Sequence, residues 1–190
     1  MFLNTVRNYI QMSVKLAFWG TLVFLVMSRN LSAQNFNENF MVQTKSEIKR
    51  RFPEVPSITV EDLKNRLIES ENLRPMIIDV RDSEEFAVSH LDGAISYPLD
   101  QAIREKNFDL PHDRMLLVYC SVGYRSAKFV RHLRNNGYVN VYNLEGGIFE
   151  WKNTGNSIYR DGVKVKLVHP YNAKWGRLLD PKCHWPGARS

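Results

Sequence analysis

The segment Cys120-Ser121-Val122-Gly123-Tyr124-Arg125-Ser126 holds the residues best suited to covalent chemistry. Cys120 directly follows the apolar run Met115 to Tyr119, and Arg125-Ser126 opens a helical pattern. A strand-to-helix turn of this kind is where open α/β folds place their sites. Backbone N–H groups of such a turn can converge on an anion, and the positive end of the helix lowers a thiol pKa towards the nucleophilic thiolate. Gly123 permits backbone conformations that a side chain forbids, and Arg125 supplies a permanent forked cation. Ser121 and Ser126 add hydroxyl donors, while Val122 and Tyr124 contribute loop amides. A free cysteine taken alone reads more readily as a small apolar residue closing a core strand than as a nucleophile. A glycine and an arginine in the same turn shift the balance to nucleophilic chemistry.

The surrounding pattern supplies the elements that position this turn. Met76 to Val80 and Met115 to Tyr119 are short apolar runs, as expected of parallel strands covered on both faces. Ile95 to Tyr97 and Val139 to Tyr142 are shorter strand candidates. Thr59 caps a helix over Val60 to Glu69, and further helical pieces are predicted at Ser83 to His90, Asp100 to Lys106 and Ser126 to Asn136. Strands alternating with helices at this spacing predict a parallel α/β sheet. After Gly155 the pattern predicts a hairpin over Ser157 to Val165, turning at Asp161-Gly162. A Pro- and Trp-containing tail then wraps the domain.

Composition narrows the functional classes. Residues 1–33 contain Arg7, Lys15 and Arg29 and no acid, which leaves 23 bases against 20 acids in the remainder. That surplus is too mild to argue for nucleic acid. Two cysteines, Cys120 and Cys183, cannot build a disulfide framework, and no C-x-x-C pair suggests zinc. Residues 1–33 read as a signal peptide: a positive start, an uncharged apolar run of 13 residues (Leu16 to Ser28), and small Ala33 before Gln34. The expectation is export to the periplasm or beyond. Membrane attachment through residues 16–28 is the alternative if that segment stays uncleaved. Residues 34–56 read as a linker, polar to about Thr44 and with a solvated turn of helix over Ser46 to Phe52, residues 57–155 as the domain, and 156–190 as the hairpin and tail extension.

Several short stretches, taken in order, resemble the single-domain rhodanese family. Ile78-Asp79-Val80-Arg81 with Glu84-Glu85-Phe86 resembles its D-V-R…E-[FY] segment, and Ser89 to Ala94 its H-[IL]-x-G-A stretch. Leu144-Glu145-Gly146-Gly147-Ile148…Trp151 resembles its closing L-x-G-G-x-x-x-W, with C-x-x-G-x-R-S between. The resemblance implies a small sheet of about five parallel strands flanked by helices on both faces. It implies that Cys120 carries sulfur as a persulfide, and that Arg125 with the amides of Ser121, Val122, Gly123, Tyr124 and Ser126 binds the substrate anion. Asp79 and Arg81 are expected to brace the loop by ion pairing, and His90 to be structural. The reaction expected is transfer of a sulfane sulfur from thiosulfate or a similar small anion to cyanide or a thiol, with no metal or organic cofactor. Three other readings stay open. A phosphatase or arsenate reductase needs C-x₅-R where this chain has C-x₄-R. A degenerate, non-enzymatic binding module of this family usually lacks the cysteine. A redox relay would join Cys120 and Cys183.

Overall fold

The computed structural model describes residues 39–69, 74–104 and 108–187. The expected signal segment and its cleavage site lie outside the described residues. Five parallel strands form the central sheet: β1 (Ser57–Ile58), β2 (Met76–Asp79), β3 (Ile95–Ser96), β4 (Leu116–Tyr119) and β5 (Val141–Leu144). Their order across the sheet is β1-β5-β4-β2-β3, so β4 lies in the centre with partners on both sides. Pleating turns Leu116 and Val118 to one face of β4 and Leu117 and Tyr119 to the other, and each set joins a separate apolar cluster. This two-sided burial is why the strands read as continuous apolar runs.

Helices fill both faces. α2 (Val60–Leu67) starts at a capping box in which Thr59 and Asp62 satisfy each other's backbone amides. α3 (Ser83–Val88) and the single turn α4 (Leu99–Ala102) follow β2 and β3. α5 (Tyr124–Asn135) buries Ala127, Phe129, Val130 and Leu133 against the sheet. Its start lies two residues before the predicted one, because Gly123 takes a left-handed φ of 102° and turns the chain directly into the helix. α6 (Gly147–Asn153) buries Ile148, Phe149 and Trp151.

Residues 39–51 form a further helix, α1, where the sequence suggested a linker with only a solvated turn of helix over Ser46 to Phe52. Met41, Thr44 and Ile48 are buried at helical spacing, and Phe52 after the helix is buried too. Lys45 of this helix pairs with Glu150 of α6 at 2.8 Å. The apolar stripe is sparse within a strongly polar segment, which hides it from a reading of composition. At the other end, β6 (Ile158–Arg160) and β7 (Val163–Val165) form an antiparallel hairpin. Asp161 and Gly162 both have positive φ at its turn, as the type I′ geometry demands. The tail continues through α7 (Ala173–Gly176) and drives Leu178 and Leu179 fully into the core. Asn153 of α6 locks that segment by donating to the Leu178 carbonyl and accepting from the Asp180 amide.

Candidate active site

Cys120 leaves the carboxyl end of the central strand β4 and is 1% exposed. Its sulfur accepts from the amide of Gly123 at 3.2 Å, with the Ser126 hydroxyl 3.5 Å away. The single proton of that hydroxyl goes to Asn143 Oδ1, at 2.6 Å, so Ser126 shows its oxygen's flank rather than a free donor to sulfur. The sulfur thus sits beside the N-terminus of α5, whose first-turn amides have no carbonyl partner within the helix.

A second helix holds the loop from beneath. Ile148 and Phe149 of α6 donate their amides to the carbonyls of Cys120 and Ser121, at 2.9 and 3.1 Å. Drawing both carbonyls towards α6 leaves the neighbouring amides of the loop to face elsewhere. The approach is possible only because residue 147 is glycine. It has φ of 54°, and a Cβ there would overlap the Cys120 carbonyl oxygen. Gly147 therefore admits the Cys120 loop against α6 as well as turning the chain.

Arg125 reaches the loop with its fork already engaged. Its two terminal nitrogens donate to the Glu85 carboxylate at 2.7 and 2.8 Å, and one also donates to Ser121 Oγ at 3.0 Å. Ser121 Oγ in turn donates to Glu85 at 2.9 Å, and Asp82 lies 3.4 Å from the arginine at the surface. Burial pushes the Glu85 carboxyl up, but Arg125, by hydrogen bond and charge, outweighs it and holds that carboxyl below its ordinary value. Burial likewise works against the Arg125 cation, yet the Glu85 bond and the nearby Cys120 raise its pKa overall. Ser121, 3% exposed, is thereby fixed between Arg125 and Glu85.

Asp79 and Arg81 lie deeper. Both side chains are fully buried, and Arg81 grips Asp79 with Nε and one terminal nitrogen, the latter at 2.7 Å, and also donates to the Ser89 carbonyl. The Arg81 charge contributes to holding Glu85 ionised, which links this pair to the loop without touching it. His90 stacks on Phe86 at 4.0 Å and bridges to Tyr159 of the hairpin, a structural placement.

The remaining loop residues split between core and rim. Val122 is buried in the apolar cluster on the α2 and α6 face, so only its backbone can serve a ligand. Tyr124 lies on the rim, its ring edge-on to Phe52 and its hydroxyl accepting from Arg51 of α1. Glu85, Asn143 and Gly147 contact the Cys120 loop, and a site search by residue type does not single them out. Glu85 sits in a recognisable motif, but its role depends on a contact 40 residues away. Cys183 lies in the tail, half-buried, and both cysteines are free thiols. Among the described residues, no cluster of three metal-ligating side chains occurs, and no helix is long and apolar enough to cross a membrane.

With this geometry in hand, comparison with known proteins identifies its kind. The model of the Rhodanese-like domain matches residues 59–154, half of the chain. A sulfurtransferase of Allochromatium vinosum is 33% identical over 101 residues, which cover 53% of this chain and 92% of that protein. The adenylyltransferase and sulfurtransferase uba4 of Ogataea parapolymorpha is 34% identical over 77 residues, 40% of this chain, but the match spans only 20% of its length. A rhodanese-like domain from Anabaena sp., solved by NMR, superimposes with a TM-score of 0.50 at 28% identity, covering 56% of this chain and 80% of that one.

Proposed function

Because this chain belongs to the rhodanese-like domain family, whose members include sulfurtransferases, we propose that it moves a sulfane sulfur through a persulfide on Cys120. One observation carries the reading. The only cysteine of the catalytic loop sits at the mouth of α5, takes the Gly123 amide on its sulfur, and has its carbonyl pinned by α6. A thiolate so placed is a nucleophile, and the persulfide that replaces it carries its charge on an added outer sulfur, within reach of the remaining loop amides.

The reaction has two displacements. The Cys120 thiolate attacks the outer sulfur of thiosulfate or a similar donor. A new S–S bond forms, the donor's S–S bond breaks, and its electron pair leaves on sulfite. The terminal persulfide sulfur is then attacked by cyanide or a thiol, and the Cys120 thiolate departs. No net oxidant or reductant is consumed, and no base is required once the thiolate exists. The loop amides of Ser121 to Ser126 are the anion receptor of this account. Arg125 contributes its charge and, through Glu85, fixes Ser121; its fork is not open for a ligand as the sequence pattern suggested. Asp79 and Arg81 act as the buried brace.

Discontinuous assay of thiocyanate from thiosulfate, polysulfide or mercaptopyruvate with cyanide tests the reading. The chain should release thiocyanate with at least one donor, and Cys120→Ser should release none. Equal release by both would remove Cys120 from the chemistry. Export is a further part of the proposal, supported by the apolar run Leu16 to Ser28 and by Ala33.

A further inference from the structure

The tail beyond residue 154 lies outside the matched family domain, yet it returns to the catalytic loop. Tyr171 places its ring 4.5 Å over the guanidinium carbon of Arg125. Exposure falls steadily along this line of contacts: 37% at Tyr171, 18% for the Arg125 side chain, 3% at Ser121 and 1% at Cys120. Contacts thus run from the tail through Arg125 to Ser121, the residue that follows Cys120, and the tail supplies the outermost of them.

Neither of the ordinary reasons for such a contact accounts for Tyr171. Arg125 does not need it, since Glu85, Ser121 and Asp82 already engage its terminal nitrogens. The tail does not need it as an anchor either. Val168, Leu178 and Leu179 are fully buried, Val168 exchanges backbone hydrogen bonds with Cys183 and Trp185, and His184 bonds the carbonyls of Gly176 and Leu179. Tyr171 is nevertheless held at φ of 66°, a left-handed conformation unfavourable for an aromatic residue. Nδ1 of His169 accepts its amide at 3.0 Å and holds that corner. An unfavourable conformation kept in place by a rigid frame, in contact with an arginine of the Cys120 loop, motivates a functional role for this ring.

We propose that Tyr171 is a specificity-determining residue of the sulfur-transfer site, a wall that limits the size of the acceptor reaching the Cys120 persulfide. This rests on the reading above, in which Cys120 carries the sulfur. The buried thiol admits narrow nucleophiles such as cyanide or a small thiol. A bulkier thiol must displace the Tyr171 ring from Arg125, and meets the exposed edge of that ring first.

The test works in a Cys183→Ser background, so that Cys120 is the sole thiol. Alkylation rates are measured with iodoacetamide and with an iodoacetamide bearing a naphthalene ring, reagents sharing one reactive group. Tyr171→Gly removes the ring and suits the left-handed backbone, so it keeps the tail's fold; circular dichroism and a thermal melt check this. The variant should raise the bulky-to-small rate ratio by about tenfold, the discrimination typical of a steric pocket wall. Tyr171→Phe, which keeps the ring, should leave the ratio unchanged. In sulfur transfer the glycine variant should gain glutathione activity relative to cyanide. An unchanged ratio, or equal acceleration of both reagents, overturns the proposal. A shifted ratio in a chain that takes sulfur from no donor would leave the wall standing and refute the sulfurtransferase reading instead.

Discussion

Replacing Glu85 with glutamine probes the brace that holds the catalytic loop. The carboxylate accepts two charge-assisted bonds from Arg125, one from the Ser121 hydroxyl and one from the Asp82 amide. Glutamine preserves shape but turns one oxygen into an NH₂ group, which then faces an arginine donor. Removing one partner of a buried charge pair costs about 3–5 kcal/mol, and the 18% exposure of Arg125 lets water recover part of that, giving about 2–3 kcal/mol. For a chain of this size the loss amounts to about 5–10 °C in melting temperature. The pH dependence adds a sign. Glu85 has a folded pKa below its ordinary value of 4.5, so its stabilisation is complete above the unfolded value and fades as pH falls through the folded one. The gap between parent and variant should therefore be full at pH 7 and close progressively in acid below about pH 4.5. Thermal melts of both proteins from pH 7 to pH 3 decide it. Equal melting at pH 7, or a gap that widens in acid, would refute the reasoning.

Further expectations concern single positions. Gly147→Ala should destabilise by about 2–4 kcal/mol and abolish transfer, because both the left-handed backbone and the Cys120 carbonyl oppose a Cβ; a variant with parental melting and activity would contradict the loop brace. Arg125→Ala should both lower the melting temperature and raise the KM for thiosulfate, since it removes the Glu85 partner together with the local positive charge; unchanged stability and kinetics would detach it from the site. Cys183→Ser should keep nearly full activity, whereas a loss matching Cys120→Ser would establish a two-cysteine relay. Amino-terminal sequencing of expressed protein should begin near Gln34, and an intact Met1 would refute cleavage after Ala33.

What was legible from sequence was local. The strand over Leu116 to Tyr119, the loop and α5 follow one another, so their periods and the glycine between them are visible in a short window. The hairpin turn at Asp161-Gly162 was legible for the same reason. Roles that depend on distant contacts were not. Nothing near Glu85 announces that it takes the fork of Arg125, and nothing near Gly147 announces that its missing side chain admits a carbonyl. The α1 helix was hidden because Met41 and Ile48 are its few core residues among charges. Tyr171 was the least legible of all, since only the folded tail sets it on Arg125.

The central claim is that Cys120 carries the sulfur, and intact mass spectrometry addresses it directly. Protein treated with a sulfane donor should gain the mass of one sulfur atom, located by peptide mapping to the segment containing Cys120, and should lose it on adding cyanide as thiocyanate appears. Cys120→Ser, nearly isosteric and expected to fold, should gain nothing. Sulfur mapped to Cys183, or no uptake from thiosulfate, polysulfide or mercaptopyruvate, would contradict the account.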